Sequence, residues 1–164
     1  MQRRLIIMRH AKSDWDADAQ GDHDRPLSER GKREAPRVGK ELARRGWVPE
    51  RVLSSDARRA RQTWKRVRKS FGDRVEATLV PSLYLGGVDE LRQALGALPD
   101  AVGTAMAIGH NPGWEQALLR LTGEPVRMTT ANAALLVADA DTWAEAAARD
   151  GGWKLEAVLR PKEI

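Results

Sequence analysis

"IIMRHAKSDW", residues 6–15, is the stretch on which the reading of this 164-residue chain turns. An apolar run of the kind that forms a buried strand ends in Arg9 and His10, then opens into a polar, acidic segment. A strand leaving the core to meet water accounts for the change in polarity. In α/β proteins, however, strand tips are also where ligands bind. The rest of the chain decides between the two.

Working outward, apolar runs with strand character alternate with segments of helical spacing. Residues 3–8 read as a strand. Ser28 to Arg45 has helical spacing in Ala35, Val38 and Leu42, with Gly46 at its stop. Pro36 lies inside that segment, and a kink or a break into two pieces is expected there. A short strand at 51–55 leads into a helix over 56–71, with Ala57, Ala60, Trp64, Val67 and Phe71 as its apolar stripe. Residues 75–80 alternate weakly as a strand. A short helix at 89–98 and a buried strand at 103–109 follow. Residues 111–121 form a helix, with Asn111 as cap and Pro112 at its first position. A strand at 133–139, a helix at 142–150 and a strand at 153–159 close the chain. No repeat or low-complexity linker interrupts this order. One domain over 1–164 is expected, an α/β fold in the form of a three-layer α/β/α sandwich around a mainly parallel central sheet.

Composition narrows the class. Apolar residues at 41% and charged residues at 31% are globular values. The chain has no cysteine, which excludes disulfides and thiolate metal sites. No leader pattern is present, and no apolar run approaches the roughly 20 residues of a membrane helix. A cytoplasmic protein without membrane contact is expected. The net charge is +5, and seven of the 28 basic residues are Lys, leaving 21 Arg. Arginine is the better bidentate ligand for phosphate, although genome composition produces the same bias.

The strand tips can now be compared. The first ends in Arg9-His10. The second ends in Ser54-Ser55 and runs into a helix whose first turn holds Arg59. The third ends in Gly109-His110-Asn111 and also opens a helix. If these strands are parallel, their tips share one sheet edge, where helix N-termini offer free N–H groups to an anion. Imidazoles and guanidiniums gathered there make a phosphate site.

Four ordered motifs carry a resemblance: "RHA" at 9–11, "RPLSERG" at 25–31, "SSDARRARQT" at 54–63 and "GHNPG" at 109–113. They resemble the histidine phosphatase superfamily, with its phosphoglycerate mutase-like fold. The Arg-Pro-Leu segment and the short chain are most similar to SixA-type phosphohistidine phosphatases. Ala11 stands where the family commonly has Gly. The resemblance implies His10 as the nucleophile that takes the phosphoryl group. It also implies Arg9 and Arg59 as ligands of the phosphoryl oxygens, His110 as a further donor, and Arg25 as another clamp. Asn111, beside His110, is a further phosphate neighbour. Such a nucleophile needs one ring nitrogen bare and the other donating to a fixed acceptor, for which a backbone carbonyl is expected.

The mutase-like members use a Glu to protonate the leaving oxygen, and "SLYLGGVDEL" offers no clean counterpart. Asp89 and Glu90 lie nearby but read equally well as first-turn helix residues. An alkoxide needs a strong proton donor to leave. An imidazole, with a pKa near ~6.5, leaves neutral without one. Phosphohistidine in proteins is therefore the expected substrate, ahead of small phosphate monoesters. Asp14, Asp16 and Asp18 hint at an EF-hand, but Ala19 occupies the tight-turn Gly position and Arg25 that of the final Glu. No metal and no cofactor are expected. Asp22, His23 and Asp24 orient Arg25, shuttle protons or are solvated loop residues, the last being the commoner fate. Trp15 and Trp114 either wall the pocket, receive a partner or pack in the core. A nucleic-acid binder using the basic helix 56–71 is the non-enzyme alternative. It is set aside because Trp64, the interleaved aromatic, belongs to the apolar stripe. A monomer acting on a phosphorylated partner is expected.

Overall fold

In the computed structural model, which describes residues 1–164, the run that opens the chain becomes β1 (Gln2–Arg9). Leu5 to Met8 are wholly buried on both faces, which is why four consecutive apolar residues form a strand here instead of an alternating one. The other strands are β2 (Arg51–Ser54), β3 (Ala77–Leu79), β4 (Thr104–Gly109), β5 (Ala133–Asp139) and β6 (Lys154–Leu159). The sheet order is β3-β2-β4-β1-β5-β6. The first four strands in that order run parallel, and β5 and β6 return antiparallel along the β1 side.

The period-2 alternation of β1 sorts its side chains into two cores. Ile6 and Met8 join Met106, Ile108 and Leu135 beneath α1 (Glu29–Arg44) and α2 (Arg58–Val67). Leu5 and Ile7 join Ala105, Ala107 and Leu136 beneath α3 (Val88–Gly96), α4 (Gly113–Thr122) and α5 (Trp143–Ala148). The result is the three-layer α/β/α sandwich expected from the element order, with a mixed six-stranded sheet that is parallel over four strands.

Two local expectations, a break into two pieces at Pro36 and an Asn111 cap, are corrected. α1 runs unbroken through Pro36. Ala35, Val38 and Leu42 are all buried against the same surface, and Gly39 lies so close to α2 that an added Cβ would sit 2.7 Å from the Val67 carbonyl oxygen. Both halves of the helix are docked, and that packing offsets the hydrogen bond that proline forfeits. Asn111 does not cap α4. The helix begins at Gly113 after a cis Asn111–Pro112 bond, and the Asn111 amide instead donates to the Met128 carbonyl (2.7 Å). The helix read over 56–71 is α2 followed by a 3₁₀ turn at Arg68–Ser70, and the strand read over 75–80 shortens to Ala77–Leu79.

At the opposite end of β1 from His10, Arg3 is fully buried with no carboxylate in reach. Its guanidinium donates to the carbonyls of Ala140, Asp100, Val102 and Asp141, tying together the loops that enter β4 and leave β5. Arg3→Met strands these acceptors. Thermal unfolding is expected to show a loss of about 3 kcal/mol, roughly 10 °C in Tm, with turnover of the folded protein unchanged.

Candidate active site

β1 and β4 are parallel neighbours with Arg9 opposite Gly109, so the next residue of each strand emerges at the same level. These residues are His10 and His110, whose ring centroids lie 5.0 Å apart. The His10 N–H donates to the Gly109 carbonyl (3.1 Å), and the Ser55 N–H at the tip of β2 donates to the Ile108 carbonyl (2.9 Å). Trp114 plugs the space beneath the tips, its indole N–H donating to the Met8 carbonyl (2.9 Å). A Cβ on Gly109 would fall 2.5 Å from that indole, which is why the strand tip has no side chain there.

His10 is 6% exposed. Its Nδ1–H donates to the Ala11 carbonyl (2.7 Å), the backbone acceptor such a nucleophile needs, so Nε2 is left bare. The Arg59 Nε–H points at that lone pair from 3.4 Å. Burial, reinforced by the nearby His110, Arg59 and Arg9, pushes the His10 pKa down to about 3. The ring is neutral and nucleophilic at neutral pH.

His110 is 1% exposed, with Nε2 2.8 Å from the Ser55 hydroxyl. That oxygen already accepts from the Ala57 N–H (3.1 Å), and Ser55 is wholly buried. Its hydroxyl proton therefore goes to Nε2, and the imidazole proton resides on Nδ1, an assignment made from this network. Nδ1 is buried and has no partner in the protein, and the same holds for Arg9 Nε and Asn111 Oδ1. Two N–H donors without a partner at one strand edge are free to meet an oxyanion. Burial, with the positive charge of Arg59, lowers the His110 pKa to about 4.

All six residues singled out from the sequence, Arg9, His10, Arg25, Arg59, His110 and Asn111, line one cavity of about 330 Å³. The structure also shows what holds these groups, with Asp22 at the centre and with Ser55 and Tyr84 as residues that sequence reasoning misses. Asp22 accepts from Arg59 Nη2 (3.0 Å), from Arg25 Nη1 and from the Tyr84 hydroxyl, while Arg59 Nη1 donates to its carbonyl (2.7 Å). The Tyr84 hydrogen bond, then Arg25 and Arg59, hold the Asp22 carboxyl far below the usual carboxylate range. Of the readings of that loop, the contact with Arg25 is present at Asp22, although its side chain stays 44% exposed. The legible signal is its spacing: a 3₁₀ turn at Asp22–Asp24 brings residue i to i+3. Ser55 and Tyr84 carry no such signal. Arg25 is further fixed by the Ser13 hydroxyl (2.9 Å) and stacks on Trp15 at 3.6 Å. Of the two tryptophans near the motifs, Trp15 walls the cavity and Trp114 is core. His23 pairs with Asp56 (2.9 Å). Glu90 accepts the Gly87 N–H (2.8 Å) in the first turn of α3, and neither it nor Asp89 lines the cavity. No group of three or more His, Cys, Asp or Glu side chains is placed to hold a metal ion.

The depressed histidine values have a signed consequence. The unfolded chain binds these protons near pH ~6.5, the native one only near pH 3 to 4, so stability rises with pH across that window and is lost as pH falls through it. A profile of kcat/KM is expected to show no protein inflection near pH 6.5 and to fall only towards pH 4. A clear half-maximum at 6.5 traceable to His10 contradicts the burial argument.

Two neutral imidazoles and three guanidiniums converge on a concave edge of this α/β sheet, an arrangement that suits a phosphoryl group. Comparisons with known proteins agree. The profile of the histidine phosphatase superfamily (branch 1) matches residues 5–84. An uncharacterised chloroplastic protein of Arabidopsis thaliana is 41% identical over 98% of this chain and 79% of its own length. A structure described as a candidate SixA phosphohistidine phosphatase from Nakamurella multipartitia is 30% identical with TM-score 0.81, covering 98% of this chain and 97% of that one. The protein histidine phosphatase SixA complexed with tungstate is 27% identical with TM-score 0.83, covering 98% of each chain. The chain belongs to the histidine phosphatase superfamily, in its SixA-type group, and is a phosphatase. No helix is long and apolar enough to cross a membrane.

Proposed function

We propose that the protein hydrolyses phosphohistidine in proteins through a phosphoryl group carried transiently on His10 Nε2. One observation carries the choice of substrate. Asp22 is the sole carboxylate lining the cavity, and three donors hold it ionised, so it has no proton to give at neutral pH. His110 is neutral there, and its remaining proton is committed to the anion site. A sugar phosphate or alkyl ester needs an acid for its alkoxide, whereas a phosphorylated imidazole departs neutral. The solved relatives named for phosphohistidine phosphatase support the same reading, and tungstate, a phosphate-like oxyanion, is bound by one of them.

In the first step the His10 Nε2 lone pair forms a bond to phosphorus as the P–N bond of the substrate breaks. The displaced imidazole keeps the electron pair, and the proton on its other nitrogen makes it neutral. Arg9, Arg25, Arg59 and the His110 Nδ1–H sit around the spreading charge of the loose transition state. Ala11 holds the His10 Nδ1 proton throughout. Water then attacks phosphorus, the His10–P bond breaks, and phosphate departs with the proton of that water distributed to solvent.

Labelled substrate quenched in mid-turnover is expected to leave an acid-labile phosphoryl group on His10, and a phosphohistidine peptide is expected to outpace a panel of sugar phosphates at equal concentration. Equal rates on both point to a phosphatase of small monoesters instead. Turnover is also expected to be unchanged by EDTA. A loss that a divalent ion restores overturns the metal-free chemistry.

A further inference from the structure

Among the residues lining the catalytic cavity only Trp15 and Leu85 are large and apolar, and both are mostly exposed, at 71% and 60%. Solvent-facing apolar side chains framing a polar pocket mark a binding surface. Leu85 adopts φ 55, the left-handed region that a branched residue enters only under constraint. The constraint is visible: Tyr84 before it is tied to Asp22, and Gly86 after it is pressed against Gly113 of α4, where a Cβ on Gly113 would meet the Gly86 carbonyl oxygen at 1.9 Å. Trp15 is pinned as well. The Arg25 guanidinium covers one face of its indole at 3.6 Å and is itself held by Ser13 and Asp22. The other face is open.

Direction supplies the rest. His10, buried 6% exposed at the floor, attacks phosphorus from below, and an in-line displacement sends the leaving group away from it, towards the mouth. The leaving group therefore arrives at the rim that Trp15 and Leu85 line. Leu85 and the face of the indole offer a hydroxyl no hydrogen bond, so sugar hydroxyls placed against them would be desolvated without a partner, whereas a flat ring gains stacking. We propose that Trp15 and Leu85 form a leaving-group subsite for a planar ring, the imidazole of phosphohistidine, and that Trp15 determines this specificity. The proposal rests on the P–N reading above and adds that the ring is recognised, not only the bond.

Three substrates separate the two ideas: free phosphohistidine (ring, P–N bond), phosphoramidate (P–N bond, no ring) and 4-nitrophenyl phosphate (ring, P–O bond). Trp15→Ala is expected to lower kcat/KM by about tenfold on the two ring substrates, chiefly through KM, and to leave phosphoramidate unchanged. Trp15→Phe is expected to restore most of the loss. An equal loss on phosphoramidate means that Trp15 acts by holding Arg25, and no loss on any substrate means that the indole is idle; either result overturns the subsite. The P–N reading fails separately, on the unmodified enzyme, if both P–N compounds are turned over more slowly than sugar phosphates.

Discussion

His10→Asn is expected to abolish the trapped phosphoenzyme and to lower kcat by at least about 10⁴-fold, while tungstate or vanadate still binds. The two halves of that result come from different groups. The covalent step requires the bare Nε2, for which an asparagine amide has no equivalent nucleophile. The proposed anion site consists of Arg9, Arg25, Arg59 and His110, none of which the substitution removes. Asparagine can still donate to the Ala11 carbonyl, and His10 is neutral in the native protein, so no buried charge is stranded and the fold should hold. Rapid quench with labelled substrate and calorimetric titration with the oxyanion read the two halves separately. Residual turnover within tenfold of the parent, without a phosphoenzyme, places the nucleophile elsewhere.

Arg59→Lys keeps the charge and is nonetheless expected to lower kcat by about 10³-fold, or about 4 kcal/mol of transition-state stabilisation. Arg59 is 3% exposed, and its three nitrogens do three things at once: Nε faces His10 Nε2, Nη1 donates to the Asp22 carbonyl and Nη2 to the Asp22 carboxylate. A lysine ammonium is a single point donor that cannot reach the nucleophile and Asp22 together. With that grip lost, the Asp22 carboxylate keeps Arg25 and Tyr84 but is free to face the incoming anion, adding repulsion to the lost contacts. Steady-state kinetics should place most of the effect in kcat. A lysine variant with near-parent kcat reduces Arg59 to a source of field.

These expectations depend on residues that differ in how openly the sequence declares them. The strand character of residues 3–8 and 103–109 is plain because both faces of β1 and β4 are buried, which leaves unbroken apolar runs. The stripe of Ala60, Trp64 and Val67 is equally plain, since each repeats at helical spacing on one covered face. Local pattern fails where distant packing intervenes. Pro36 reads as a break, yet α1 continues through it while packed against α2. Asn111 reads as a cap, yet its amide is claimed by Met128, seventeen residues on. Arg3 reads as a polar strand end and is a buried tie among four carbonyls.

The site divides along the same line. The chain itself determines which groups are available: two imidazoles directly after strands, Arg9 at the end of β1, Arg59 in the first turn of α2 and Arg25 in the loop before α1. Three-dimensional packing decides what state those groups are in. The tautomer of His10 depends on the Ala11 carbonyl, that of His110 on Ser55, and the ionisation of Asp22 on Tyr84, Arg25 and Arg59. Protonation and hydrogen-bond partners are set by distance and by the exclusion of water, both of which arise only when strands remote in sequence lie side by side.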